Sequence, residues 1–207
     1  MFISNGMVIG VDEVGKGSWA GPMLVVAFAA PSDWSFDVKD SKKYTGSNAQ
    51  KKHEARKRIY HQLNSDMSSV LWCVRYAEAQ YIDELGMGAA HAQTIKDAIE
   101  VCMNMMMPWR PGIPERIIVD GTGPQPMQGV ECIPKADALF PQVSAASVIA
   151  KVLHDDQMIL HALKYPGYDF ENNMGYGTEK HEAGLVTHGL CPLHRRSFQP
   201  MKNYLSV

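Results

Sequence analysis

Two apolar runs in this chain stop on acids. Residues 8–11 (VIGV) lead into Asp12 and Glu13 just ahead of Gly15 and Gly17, and residues 117–119 (IIV) lead into Asp120 with Gly121 behind it. Removing a carboxylate from water is costly unless something positive faces it, so strands that end this way call for cations at their tips. In open α/β sheets the carboxyl ends of neighbouring strands form the crevice where ligands bind, which makes Asp12 and Asp120 candidates for one crevice.

The rest of the chain fits that class. Val- and Ile-rich runs at 7–11, 23–29, 69–76 and 116–119, and a weaker one at 129–133, predict strands. Helical patterns cover about 48–64, 78–86, 89–106, 140–164 and 179–188, with Ser47 and Gln50 spaced as a capping box for the first. A Gly/Pro turn joins the first two strands whereas helices separate the later ones, so the expected architecture is α/β, a mixed sheet with an antiparallel start and helices packed on it. The 207 residues suffice for one sizeable core, and a single domain over 1–207 is expected, with a C-terminal elaboration. Order in the tail from Pro192 depends on docking to the body.

A third acidic place lies in the long helix, where KVLHDDQM holds Asp155 and Asp156. Periodicity does not choose between them, because Val148, Val152, Asp155 and Ile159 form one stripe and Ile149, Leu153, Asp156 and Leu160 the next. Carboxylates gathered without His or Cys suit a hard cation with oxygen ligands, Mg2+ or Mn2+. Two such ions about 3.5–4 Å apart activate a water and stabilise the leaving oxygen of a phosphodiester, so the acids point to nuclease chemistry. The competing nucleotide-binding loop GxxxxGK[ST] fits Gly10 to Lys16 but fails at Gly17, and it would put Asp12 and Glu13 inside a phosphate cradle.

The formal net charge of -2 argues neither for nor against a nucleic-acid partner. Residues 39–58, however, carry eight Lys or Arg against Asp40 and Glu54, a basic strip that grips phosphates or simply forms a solvated helix face. The four cysteines make no CxxC pair, and they read as buried thiols of a reducing compartment. With no basic n-region at the N-terminus and no apolar run long enough to cross a bilayer, a cytoplasmic setting is expected. Nothing in the sequence marks a dimer interface, so a monomer is expected.

Together, DEVGKGSWAGP, DSKK at 40–43, IIVDG at 117–121, KAD at 135–137, SAASVIAKVLHD at 144–155, YPGYDF at 165–170, MGYGTEKH at 174–181 and HRRSF at 194–198 resemble type 2 ribonuclease H, ribonuclease HII. The matches keep the family's order and span nearly the whole chain. The resemblance implies a ribonuclease H-like fold, a mixed five-stranded sheet flanked by helices, with a helical extension over 165–207 that helps hold the duplex. It implies cleavage of the RNA strand of RNA/DNA hybrids and incision at ribonucleotides embedded in duplex DNA, leaving 3'-hydroxyl and 5'-phosphate ends. The implied ligands of a two-metal Mg2+ or Mn2+ site are Asp12, Glu13, Asp120 and Asp155, and it is the family pattern AKVxxD that selects Asp155 over Asp156.

Selecting RNA requires sensing the 2'-hydroxyl. The resemblance assigns this to Gly15, Lys16 and Gly17 and to Tyr176, and it places Lys42, Lys43, Thr45, Ser144, Ser147, Lys151, Arg195 and Arg196 where they touch phosphate. Ser144 and Ser147 equally suit tight helix packing. Type 2 enzymes usually carry Arg between those glycines, and Lys16 lacks the planar fork of a guanidinium. That departure bears on incision at an isolated ribonucleotide, not on hybrid cleavage. Two alternatives follow: a hybrid-binding protein of this fold with little turnover, or a type 3-like ribonuclease H lacking single-ribonucleotide incision. His154 reads as a surface or helix residue or a proton carrier, and Met105 to Met107 as core filler on a helix.

Overall fold

A computed structural model describes residues 6–36, 49–65, 69–108, 112–123 and 125–205. The elements in chain order are β1 (Met7–Val14), β2 (Met23–Pro31), α1 (Ala49–Ser65), β3 (Leu71–Ala77), α2 (Ala79–Leu85), α3 (Met87–Met106), β4 (Arg116–Asp120) and β5 (Val130–Ile133). A 3-10 turn (Ala136–Ala138) follows, then α4 (Pro141–Lys164), α5 (Phe170–Asn173), α6 (Glu179–His188) and α7 (Gln199–Lys202). Each strand and helix read from the apolar pattern is present, with ends moved by up to three residues. Ser47, the first half of the expected capping box, lies outside the described residues.

The five strands form one mixed sheet in the order β3-β2-β1-β4-β5. The chain lays down β1, β2 and β3 toward one edge and then returns to place β4 on the other flank of β1. Strand order therefore reverses between β1 and β4, the position where open sheets bind ligands. β1 and β4 pair in parallel, with Val8 opposite Arg116 and Val11 opposite Val119. β5 extends the parallel part, Ile117 opposite Val130 and Asp120 opposite Ile133.

The chain divides into two compact units. The first comprises Met1–Glu13, Val25–Arg75 and Ala92–Val152, and the second Val14–Leu24, Tyr76–His91 and Leu153–Val207. In the first, the sheet supplies a continuous apolar run from Val25 to Ala30, fully buried, beside Ile9, Val11, Ile118 and Val119. Runs buried on both faces are what a sheet covered by helices requires. Val8, Ile118, Ala136 and Val143 form one cluster there, closed by Ile133 and Phe140. On α1, Ala55, Ile59 and Leu63 recur every four residues as the buried stripe while Lys51, Lys52 and Arg58 are exposed. On α3, Ile95, Ala98, Ile99, Cys102 and Met106 are buried, but Met105 and Met107 are exposed, so of that trio only Met106 fills core. Adjacent helical residues lie about 100° apart, and a run of three cannot all face inward.

The second unit has its own apolar cluster of Ala20, Met158, Tyr168, Phe170, Leu185, Cys191 and Met201. The Thr178 side chain caps α6 by accepting the His181 N–H at 3.2 Å. The tail from Pro192 docks through Met201, which is fully buried. Cys73, Cys102 and Cys191 are buried and all four cysteines are free. Among the described residues no helix is long and apolar enough to cross a membrane. β1 is followed by a turn and β2, without a helix, so the strand-loop-helix context that a nucleotide-binding loop needs is missing.

Candidate active site

One residue past the last paired couple, Val11 and Val119, Asp12 near the end of β1 and Asp120 at the end of β4 sit side by side on neighbouring parallel strands at the strand-order reversal. Adjacent strands run about 4.8 Å apart, so the two carboxylates share one crevice mouth. Asp12 is 8% exposed, and its Oδ1 accepts the Glu13 N–H at 2.8 Å. Asp120 Oδ1 accepts the Ala136 N–H at 2.7 Å, which ties it to the 3-10 turn.

Gly10 sets the height of the helix above these acids. A side-chain methyl there would collide with the backbone of Gln142 and Val143 at the start of α4, lying 2.8 Å from the Gln142 carbonyl oxygen. The helix therefore rests directly on β1. Two residues along the strand is Asp12, on the same face as Gly10, and one turn along the helix from Val143 is Ser147. The Ser147 hydroxyl accordingly reaches Asp12 and donates to it.

Burial pushes the Asp12 carboxyl up to about 7, and the charges of Glu13 and Asp120 push it the same way. The Ser147 hydroxyl and the Glu13 N–H offset part of this. A buried carboxylate crowded by two others is the electrostatic signature of a place that attracts a cation. The donors are all oxygen, as Mg2+ or Mn2+ prefers. Among the described residues no three His, Cys, Asp or Glu side chains close around a common point, so the acids offer donors and a negative field without a preformed cage.

In the second unit Asp155 is 2% exposed while Asp156 is half-buried, so the inward acid is the one the family pattern selects. His154 Nδ1 lies 3.6 Å from Asp155 Oδ1. His154, read as a surface or helix residue or a proton carrier, is a fully buried residue of α4, and its ring closes on Gly15, where a methyl would meet Nε2 at 2.8 Å.

The segments 15–21, 174–177 and 191–198 form a single hydrogen-bonded block. Trp19 N–H and Ala20 N–H both donate to the Gly175 carbonyl, at 2.8 and 3.2 Å, and Gly21 N–H donates to the Leu193 carbonyl at 2.9 Å. Lys16 and Gly17 are exposed, as is Tyr176, and a methyl on Gly17 would stand 3.8 Å from Tyr176 Cε1. Three of the four expected readers of the sugar thus share one surface, while the fourth, Gly15, is buried. Arg195 corrects an expectation: it is fully buried, and its guanidinium donates to the carbonyls of Gly15, Lys16 and Gly21, which removes it from phosphate. Arg196 is exposed, as a phosphate contact requires. Its backbone is held by Asp83, whose carboxylate accepts from Arg196 N–H at 2.9 Å, Ser197 N–H at 2.8 Å and Ser197 Oγ at 2.6 Å. Neither Asp83 nor this brace carries a sequence signal. Ser144 is buried on α4, Lys151 is half-buried, and Lys42, Lys43 and Thr45 lie outside the described residues.

Two buried histidines support Tyr176. The Cys191 N–H donates to His194 Nδ1 at 2.9 Å, so His194 Nε2 carries the proton and donates to His181 Nε2 at 3.0 Å. That in turn leaves His181 Nδ1–H to donate to the Tyr176 carbonyl at 2.9 Å. Every link requires neutral rings. Burial lowers both histidines, His194 to about 4, so their contribution to stability is complete above pH 6.5 and is lost as pH falls toward 4. Melting curves between pH 7.5 and 4.5 are expected to show a loss on the order of 2 to 3 kcal/mol from His194 that a His194→Gln variant lacks. A wild-type curve that stays flat over this range removes the neutral relay.

A sequence model of the family described as Ribonuclease HII matches residues 9–201. The chain belongs to the ribonuclease HII family. A curated Ribonuclease HII from Leuconostoc mesenteroides subsp. mesenteroides is 36% identical over 200 residues, covering 96% of this chain and 72% of the relative. Among solved structures, the ribonuclease H2 from Pyrococcus horikoshii OT3 superposes with a TM-score of 0.70 at 21% identity, covering 97% of each chain. Bst-RNase HIII in complex with Mn2+ gives a TM-score of 0.68 at 23% identity, covering 99% of this chain and 71% of that one. These two establish the ribonuclease H-like fold, and the family match establishes the activity class. The chain is a ribonuclease H, an endoribonuclease that hydrolyses phosphodiesters. Metal dependence is general to the family.

Proposed function

We propose that the chain cleaves the RNA strand of RNA/DNA hybrids and incises duplex DNA at embedded ribonucleotides, leaving 3'-hydroxyl and 5'-phosphate ends. The observation that carries the reading is the pair Asp12 and Asp120 at the strand-order reversal, with Asp12 raised by burial and by its acidic neighbours. Asp12, Glu13 and Asp120 would hold divalent ions, Mg2+ or Mn2+, with Asp155 the fourth ligand that the family motif supplies. Bound there, the ions supply activation of the attacking water and charge neutralisation at the scissile phosphate. Ser147 and the Glu13 N–H orient the Asp12 carboxylate, and the Ala136 N–H orients Asp120. The Mn2+ carried by Bst-RNase HIII supports this choice of metal.

On the substrate side, Gly15, Lys16, Gly17 and Tyr176 read the 2'-hydroxyl, and Arg196, Lys151, Lys42, Lys43, Thr45 and Ser144 take phosphates. Residues 165–207 act as a substrate-binding extension of one catalytic domain. The protein works as a monomer, and its free thiols fit a reducing, cytoplasmic setting.

The test uses two labelled duplexes, an RNA/DNA hybrid and a DNA duplex with one ribonucleotide, incubated with Mg2+ or Mn2+. Both should be cut, and end-group analysis should find 3'-hydroxyl and 5'-phosphate. Hybrid cleavage that survives in Asp120→Asn defeats the metal assignment. Lys16→Arg is expected to raise incision at the single ribonucleotide several-fold relative to hybrid cleavage, because a guanidinium grips its target with a planar fork. An unchanged ratio of the two rates removes Lys16 as the determinant.

A further inference from the structure

Among the described residues, the Arg195 guanidinium directs all of its hydrogen bonds to backbone carbonyls and none to an anion. It donates Nη2–H to the Gly15 carbonyl at 2.6 Å and Nη1–H to the Lys16 carbonyl at 2.9 Å. Nε–H and Nη2–H both reach the Gly21 carbonyl, at 3.1 and 3.0 Å. The Phe198 ring lies 5.3 Å from its guanidinium carbon, and the Arg195 N–H donates to the Trp19 carbonyl at 2.9 Å. Four bonds to three carbonyls of one loop are more than packing requires for a side chain of this cost to bury.

Peptide geometry gives the arrangement its consequence. In a planar trans peptide the C=O of one residue and the N–H of the next point in opposite directions. With the Lys16 carbonyl turned to the guanidinium, the Gly17 N–H points away from it. The Gly15 carbonyl likewise turns the Lys16 N–H away. Gly17 is exposed, and Tyr176 stands beside it. A carbonyl that accepts from a cation also polarises its own peptide, which makes the following N–H a better donor.

We infer that Arg195 is a positioning residue for ribonucleotide selection: it locks the two peptide planes of the Gly15–Lys16–Gly17 loop so that the Gly17 N–H is presented to the 2'-oxygen of a ribonucleotide. This rests on the reading of that loop as the 2'-hydroxyl sensor. Burial lowers Arg195 only to about 10, so it keeps its charge at neutral pH. Lysine at 195 keeps a charge but cannot bridge three carbonyls with one fork, so the planes would be free to turn.

The experiment measures binding by fluorescence anisotropy in an Asp120→Asn background, which prevents cutting. Two duplexes differ only in one ribonucleotide, and each is titrated at several salt concentrations. Arg195→Lys is expected to reduce the preference for the ribonucleotide duplex about tenfold or to erase it. Affinity for the all-DNA duplex and the salt slope should stay as they are, because a buried guanidinium contacts no phosphate. An intact preference overturns the inference, and so does equal weakening of both duplexes with a slope smaller by about one, the mark of a direct phosphate contact. Absence of any preference in the Arg195 parent instead overturns the reading of the loop itself, and the inference with it. Should Arg195→Lys fail to fold, the parent decides the matter by NMR: the Arg195 Nε–H and Nη–H protons should exchange slowly, as a guanidinium locked on three carbonyls requires, and the Gly17 N–H resonance should move on adding the ribonucleotide duplex and not the DNA duplex; fast exchange at Arg195, or a Gly17 resonance that responds to neither duplex, overturns the inference.

Discussion

Asp12→Asn is expected to abolish cleavage while making the metal-free protein more stable above pH 7. Asp12 rises from its ordinary 3.8 to about 7 because burial, Glu13 and Asp120 all oppose its charge. A carboxyl whose folded value is raised stabilises the fold fully below its unfolded value, and that contribution is lost as pH climbs through about 7. The difference is worth on the order of 4 kcal/mol at most, or roughly 10 °C in Tm for a chain of this size. Asparagine keeps an oxygen for the Glu13 N–H and carries no charge, so it escapes the penalty. It also removes the donor that a divalent ion needs, so cleavage should fall by about a thousandfold or more. Melting curves at pH 8 with and without Mg2+ separate the two effects: Mg2+ should raise the wild-type Tm and leave that of Asp12→Asn unmoved. A variant less stable than wild type at pH 8 contradicts the electrostatic account, and one that still cuts contradicts the metal assignment.

Gly10→Ala should be the most damaging single methyl in the first unit. The added carbon would strike main-chain atoms of Gln142 and Val143, which cannot swing aside as the tip of a flexible side chain can. To make room, the start of α4 must lift off β1, and Ser147 would be drawn away from Asp12. Overpacking against backbone is expected to cost about 3 kcal/mol or more. Denaturant titration of Gly10→Ala in parallel with Gly88→Ala is the check, because a methyl added at Gly88 would meet nothing within 4 Å. Comparable midpoints for the two variants would show that the helix does not rest on Gly10.

How far the sequence revealed this protein depended on whether the signal was local. The strands could be read at 7–11 and 116–119 from runs of Val and Ile, and the acids that follow those runs stood out because a carboxylate beside buried apolar residues is costly to desolvate. Their adjacency followed from the return crossing to β4. The choice between Asp155 and Asp156 was not legible from periodicity, since each lies in an apolar stripe of its own; burial separates them. Arg195 misled because sequence displays charge but not depth, and its partners, Gly15, Lys16 and Gly21, lie more than 170 residues upstream. Asp83 was invisible for the same reason, an ordinary helix acid whose partners are Arg196 and Ser197. The depth of His154, read as a surface or helix residue or a proton carrier, was not legible because nothing nearby announces that Gly15 leaves a space for its ring.

The bond from Arg195 to the Gly15 carbonyl joins positions separated by 180 residues. Contacts so distant in sequence form late, after most of the polymer has been ordered. During synthesis the loop at 15–17 leaves the ribosome early, but the guanidinium that holds its carbonyls follows only when Arg195 is out. A nascent chain can therefore pair its strands well before the 15–17 loop is fastened, so that loop is among the last parts of the polypeptide to take its final shape.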